Sequence, residues 1–303
     1  MRLSRRALLV PAAVLALAPI DASDMGAAPA PTAGQDPMFS AAEAYERFMG
    51  RWSRDLAPLL VRFADVRDGD TLLDVGSGTG ALAIAMAASA PSSRIVGVDL
   101  AASYVAFARS RVKGDRLRFE EGDAQQLRFA DGSFDRTLSL LVLNFVPDPA
   151  KAVNEMRRVT RPGGTVAAAV WDYGQGMEML RVFWDEVVAL DPGAAARDER
   201  HMPLCRSGEL SVLWRDRGLQ DVMEEAISVQ TRFSSFEDYW SPFLEKQGPA
   251  GAYVAALAPA DRERLRLRLR ARLLGDRPDG ELLLGARAWA VRGTVARSSR
   301  AAR

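Results

Sequence analysis

Asp74, Gly76, Ser77, Gly78 and Gly80 fall in one short stretch, Asp74-Val-Gly-Ser-Gly-Thr-Gly80; of two further carboxylates, Asp99 closes the next apolar run and Asp123 follows the strand expected after it. Glycine tolerates backbone angles closed to other residues and has no Cβ to hold a ligand away. A run of strong helix formers, Ala81 to Ala88, follows the glycines, so the turn opens a helix whose first N–H groups are unpaired and face a polar or anionic ligand. Gly76-x-Gly78-x-x-Ala81 fits the dinucleotide fingerprint, and Asp99 fits its ribose-binding acid. Asp74 opposes that reading, because a pyrophosphate passing so close would be repelled by a carboxylate. A ligand with an ammonium group and no phosphate would be favoured there.

The stretch DVGSGTG resembles the first motif of class I S-adenosylmethionine-dependent methyltransferases, and the likeness extends over about residues 45–175. Within that superfamily the chain is most similar to the branch with a type 11 domain that includes ubiquinone and menaquinone biosynthesis methyltransferases. The resemblance implies S-adenosyl-L-methionine as cofactor, with Asp74 near its ammonium and Gly76, Ser77, Gly78 and Gly80 along its methionine and ribose. It makes Asp99 the acceptor for both ribose hydroxyls; the alternative is a helix cap near Ala101. In Glu121-Gly122-Asp123-Ala124 it makes Asp123 the acceptor for the adenine amino group, with Leu100 and Ala124 flanking the ring, where Asp123 could otherwise be a turn residue. Asn144, in Asn144-Phe145-Val146, falls where family members meet both cofactor and substrate. Ser133-Phe134-Asp135 and Arg161-Pro162-Gly163-Gly164 match family positions that serve backbone geometry.

Candidates for a catalytic group are weak: His201, Tyr173 and Asn144. A chain with one cysteine and one histidine builds neither a cysteine-rich zinc site nor a histidine metal site, and no metal is expected. Methyl transfer needs no protein nucleophile, and no strong base if the acceptor is an enolate, phenolate or amine. The expected function is in-line methylation of a small-molecule acceptor, apolar or aromatic. An NAD(P)-dependent oxidoreductase and a non-catalytic nucleotide-cofactor-binding domain are the alternatives. A net charge of +1 gives no electrostatic footprint for nucleic acid.

These residues need elements to hold them. Strands are expected at 71–75, 94–98, 117–120, 135–141 and 165–171, with helices between them at 81–89, 103–112 and 149–159. That alternation marks an α/β protein with a mainly parallel sheet and helices on both faces. Beyond it come a helix at 177–190, a loop carrying His201 and Cys205, a helix at 208–217, a strand at 221–231 and a last strand at 282–295. The resemblance implies a Rossmann-like, seven-stranded class I fold closed by an antiparallel hairpin, with a helical insertion before the last strand. Residues 38–234 then form the methyltransferase core, 235–280 the insertion, and 281–303 the last strand and tail. Phe236, Tyr239, Trp240, Phe243 and Tyr253 make the insertion a candidate lid over the acceptor. The spacing of apolar residues from Phe39 to Phe63 predicts helix, and the resemblance makes that segment a flap over the cofactor mouth. Residues 1–37 combine Arg2, Arg5 and Arg6, an apolar run too short to span a bilayer, and an Ala/Pro/Gly linker. The expectation is a cytoplasmic protein starting at Met25 or Met38, with no stable membrane insertion; export through a twin-arginine-like signal at residues 1–22 is the alternative.

Overall fold

The computed structural model describes residues 42–297, so the leader, the linker and the last six residues lie outside the described part. All described residues belong to one compact unit. Seven strands form a single sheet in the order β3-β2-β1-β4-β5-β7-β6: β1 (Thr71–Val75), β2 (Arg94–Asp99), β3 (Leu117–Glu121), β4 (Phe134–Leu140), β5 (Thr160–Trp171), β6 (Gln220–Phe233) and β7 (Leu282–Thr294). The first five run parallel, and β7 is antiparallel to both β5 and β6. The α/β class, the hairpin closure and the inserted helices are as expected.

Helices fill the connections β1–β2, β2–β3 and β4–β5, while residues 122–133 between β3 and β4 form a helix-free loop. The sequence places these helices at α2 (Ala81–Ser89), α3 (Ala102–Ser110) and α4 (Pro149–Val159), preceded by α1 (Arg51–Phe63). In β1, Leu72, Leu73 and Val75 are buried, and in β5 every residue from Val166 to Trp171 is buried, as parallel strands covered on both faces require. Edge strand β6 instead alternates buried and exposed residues over its second half. The chain continues through α5 (Glu178–Leu190) and α6 (Glu209–Asp216) to β6. Three helices then intervene before β7: α7 (Phe236–Trp240), α8 (Gly248–Ala256) and α9 (Pro259–Leu274).

Three boundaries differ from expectation. Arg161 to Gly164 is a bulge inside β5 and not a turn before it: Phe134 pairs Thr160, Arg136 pairs Thr165, and the residues between are looped out with Gly163 at φ 78°. The N-terminal helix runs through Pro58, and a π-helical turn, Glu46–Gly50, precedes it where an ordinary helix is expected. Residues 198–202 form a short 3₁₀ turn, Glu199–His201, in place of open loop.

Candidate functional site

The carboxyl ends of β1, β2, β4 and β5 meet on one side of the sheet, where open α/β folds bind ligands. Two cavities lie there. The first, of about 170 Å³, is lined by Asp74, Gly76, Ser77, Gly78 and Asp99, with Val142 opposite. The second, of about 160 Å³, is lined chiefly by aromatic side chains and one carboxylate, Glu199. Tyr45, Tyr104, Leu141 and Phe145 line both, so the cavities are separated only by a shared wall.

The glycine turn is pinned to the sheet. Gly76 and Ser77 both donate to the carbonyl of Val98, at 2.8 Å each, and Gly78 N donates to Asp99 Oδ2 at 2.8 Å. Gly76 sits at φ 73° and a Cβ there would lie 2.5 Å from Val142 Cγ1, so the position admits glycine alone. Gly78 has φ 50° and open space where a Cβ would point. Gly80 faces away: it precedes α2, and its missing Cβ makes room for the Phe119 ring.

Asp74 is 1 % exposed. Its Oδ2 accepts from Ala83 N, in the first turn of α2, while Oδ1 is buried without a partner. Burial pushes its carboxyl up to about 8, with Asp99 adding a small repulsion. Ser77 Oγ is a second buried polar atom without a partner in the same cavity wall. Unpaired buried polar groups are costly, and these two point to a polar ligand that completes them. Asp99 keeps capacity too: Oδ2 takes Gly78 N and Oδ1 takes Ala101 N, and each oxygen has a further lone pair.

The other sequence candidates fall elsewhere. Leu100 is 76 % exposed, and neither it nor Asp123, Ala124 or Gly80 lines either cavity. Asp123 Oδ1 accepts from its near neighbour Gln125, the turn geometry weighed above. Asn144 is buried behind the wall, its Nδ2 directed at Met202 Sδ. His201 is exposed and lines neither cavity, so nothing positions it as a base. Tyr173 does line the second cavity, and burial holds its hydroxyl well above the ordinary phenol range. The five aromatics of the insertion are core: Tyr239 and Phe243 are fully buried, Tyr239 Oη donates to Met179 O, and Phe243 stacks on Phe183 with centroids 4.6 Å apart. The insertion reaches the cavity only through Gln247, Gly248 and Pro249.

Sequence reasoning missed two carboxylates. Glu46, in the π-helical turn, accepts from Thr79 Oγ1 of the glycine turn and pairs with Arg54 and Arg111. That ties the N-terminal segment to the turn and positions Tyr45 over both cavities. Glu199 is 5 % exposed, and burial raises its carboxyl to about 7 against the Trp184 indole N–H, which donates to Oε2. Its flanking residues, Asp198 and Arg200, read as a solvated polar run, and no periodicity marks the residue between them as buried.

Comparison with known proteins agrees with this architecture. Residues 73–168 match a family described as a methyltransferase domain. An uncharacterized protein of Mycobacterium bovis is 29% identical over 215 residues, covering 69% of this chain and 77% of its own. A ubiquinone/menaquinone biosynthesis C-methyltransferase of Bdellovibrio bacteriovorus is 38% identical over 118 residues, 38% of this chain and 49% of its own. Among solved structures, phosphoethanolamine N-methyltransferase 2 of Haemonchus contortus in complex with S-adenosyl-L-methionine is similar in fold, with a TM-score of 0.51 and 21% identity over 86% of this chain and 57% of its own. The YcgJ protein of Bacillus subtilis has a TM-score of 0.51 at 21% identity, over 80% of this chain and 98% of its own.

Proposed function

Starting from a chain that belongs to the class I S-adenosylmethionine-dependent methyltransferases, we propose that it methylates a small-molecule acceptor bound in the second cavity. The paired cavities carry this reading. One is walled by the glycine turn and by buried polar atoms that lack partners, and the other is aromatic. A cofactor and an acceptor that react by direct transfer need such adjoining sites.

The residues present fit S-adenosylmethionine. Asp74 Oδ1 would take its ammonium group, Ser77 Oγ and the Gly76–Gly78 backbone its polar methionine atoms, and Asp99 its ribose hydroxyls. When bound, the cofactor supplies an activated sulfonium methyl group. The chain's own contribution is positioning. The shared wall of Tyr45, Tyr104, Leu141 and Phe145 excludes water and seats the acceptor against the first cavity. Holding two reactants near 3 Å and aligned can supply roughly 7–11 kcal/mol of the barrier. In this reading Tyr173 stays a neutral hydroxyl and acts as a hydrogen-bond partner.

Incubating the full chain with S-adenosylmethionine and pools of small acceptors tests the proposal, with product mass and adenosylhomocysteine as readouts. A mass gain of one methyl group with matching adenosylhomocysteine is expected. Cofactor binding with no turnover on any of these pools would contradict the small-molecule reading and favour a binding domain.

A further inference from the structure

The second cavity has an unusual lining for an anionic acceptor. Six aromatic side chains wall it: Tyr45, Phe48, Tyr104, Phe145, Trp171 and Tyr173. No lysine or arginine is among its lining residues, and Glu199 is its one acidic group. Aromatic faces attract cations through their quadrupoles, by about 0.5–2 kcal/mol per ring depending on desolvation. A phenolate, enolate or carboxylate would meet six aromatic rings and the Glu199 carboxylate with no lysine or arginine in the lining to balance it.

We propose, building on the methyl-transfer reading above, that the acceptor is an amine, held as its ammonium among these rings against Glu199, which then takes its proton. Glu199 Oε2 is engaged by the Trp184 indole N–H. Oε1 lies 3.9 Å from the point where a Cβ on Gly248, another lining residue, would sit. Trp184 is the one hydrogen-bond partner of the Glu199 side chain among the described residues, which leaves Oε1 for the ligand. The step balances: the ammonium gives a proton to Glu199 Oε1, the freed nitrogen lone pair forms the N–C bond, and the S–C bond breaks with its electron pair staying on sulfur as a thioether. A carboxyl raised by burial is a better proton acceptor than an exposed one, and it is partly ionised at neutral pH.

Other charged and titratable groups around Glu199 set limits. Arg181 of α5 lowers its pKa and Asp198 beside it raises it, but these two are engaged with each other, Nη2 to Oδ1 at 2.5 Å. Tyr173 and Cys205 face it from neighbouring loops, and burial keeps both neutral near pH 7, with the Cys205 thiol pushed up to about 12. In the stretch between pH 6 and 8, Glu199 is therefore the group of this cluster that changes charge.

The test uses the full chain, with phenethylamine and its neutral isostere phenethyl alcohol as probes, read by calorimetry. Adenosylhomocysteine affinity is measured separately. The amine should bind wild type at least tenfold more tightly than the alcohol. Glu199→Gln, which keeps an acceptor for Trp184, should erase that preference while leaving adenosylhomocysteine affinity unchanged. In wild type, amine affinity should rise from pH 6 to pH 8 as the carboxylate ionises, a readout that does not depend on the variant folding. Equal binding of both probes, no amine binding, or a preference that survives Glu199→Gln or shows no rise with pH would overturn the proposal. Loss of adenosylhomocysteine binding in wild type would instead strike the methyl-transfer reading, and the probe comparison would still decide what the cavity holds.

Discussion

Asp99 and Asp74 divide the work of the first cavity differently. Asp99 holds the glycine turn to β2 through Gly78 N and anchors Ala101 N, with lone pairs left for a ligand. Asp99→Ala should weaken S-adenosylmethionine binding by about 1–3 kcal/mol, the range for leaving hydrogen-bonding groups unpaired. Calorimetry on a folded variant checks this, and unchanged affinity removes Asp99 from the ribose role. Asp74 was legible from the sequence because a carboxylate two residues before the first glycine of the turn is chemically conspicuous. Glu199 was not: between Asp198 and Arg200 it looks solvated, and only the packing of Trp184 and Tyr173 around it creates its environment. His201 was conspicuous for the wrong reason, as the one histidine of the sequence, which the 3₁₀ turn leaves in solvent.

Among the elements, strand–turn–helix alternation from β1 to β5 was readable because each unit has its own local signals: an apolar run, a glycine or proline punctuation, a helix-forming run. The π-helical turn had no such local signal, and the contacts of its Glu46 are with Thr79 and Arg111, far along the chain. Glu46→Ala should loosen the N-terminal segment. Faster hydrogen exchange across residues 45–50, with little change in the sheet, would show it, and uniform protection would deny Glu46 that role. The insertion is the opposite case. Its aromatics at helical spacing suggested a lid, and spacing alone cannot tell a face turned to ligand from one turned to core. Tyr239→Ala removes a fully buried ring and its bond to Met179 O, and should cost about 3–5 kcal/mol, like other large buried aromatics. Denaturant unfolding measures it, and near-wild-type stability with lost turnover would restore the lid.

For the whole molecule, two populations of carboxyl groups pull stability in opposite directions with pH. Asp135, Glu155, Asp198 and Asp238 are held below their ordinary range by arginines and backbone N–H groups, so they contribute stability above about pH 4, lost as pH falls through their lowered values. Asp74 and Glu199 are raised by burial to about 8 and about 7. Their contribution is complete below the unfolded value near 4 and is lost as pH rises through 7 and 8, where the folded state must ionise them. The ligand-free Tm should therefore decline from pH 5 to pH 8, and Asp74→Asn should flatten part of that decline; a Tm that rises across the range, unaltered by the substitution, contradicts the assignment. An ammonium arriving beside Asp74 reverses its preference and expels the proton. Calorimetric titration of S-adenosylmethionine at pH 7, in two buffers of different ionisation enthalpy, measures binding and proton release together. One site per chain is predicted, releasing a proton that Asp74→Asn no longer releases; no binding, or binding of a nicotinamide dinucleotide in its place, would contradict the account.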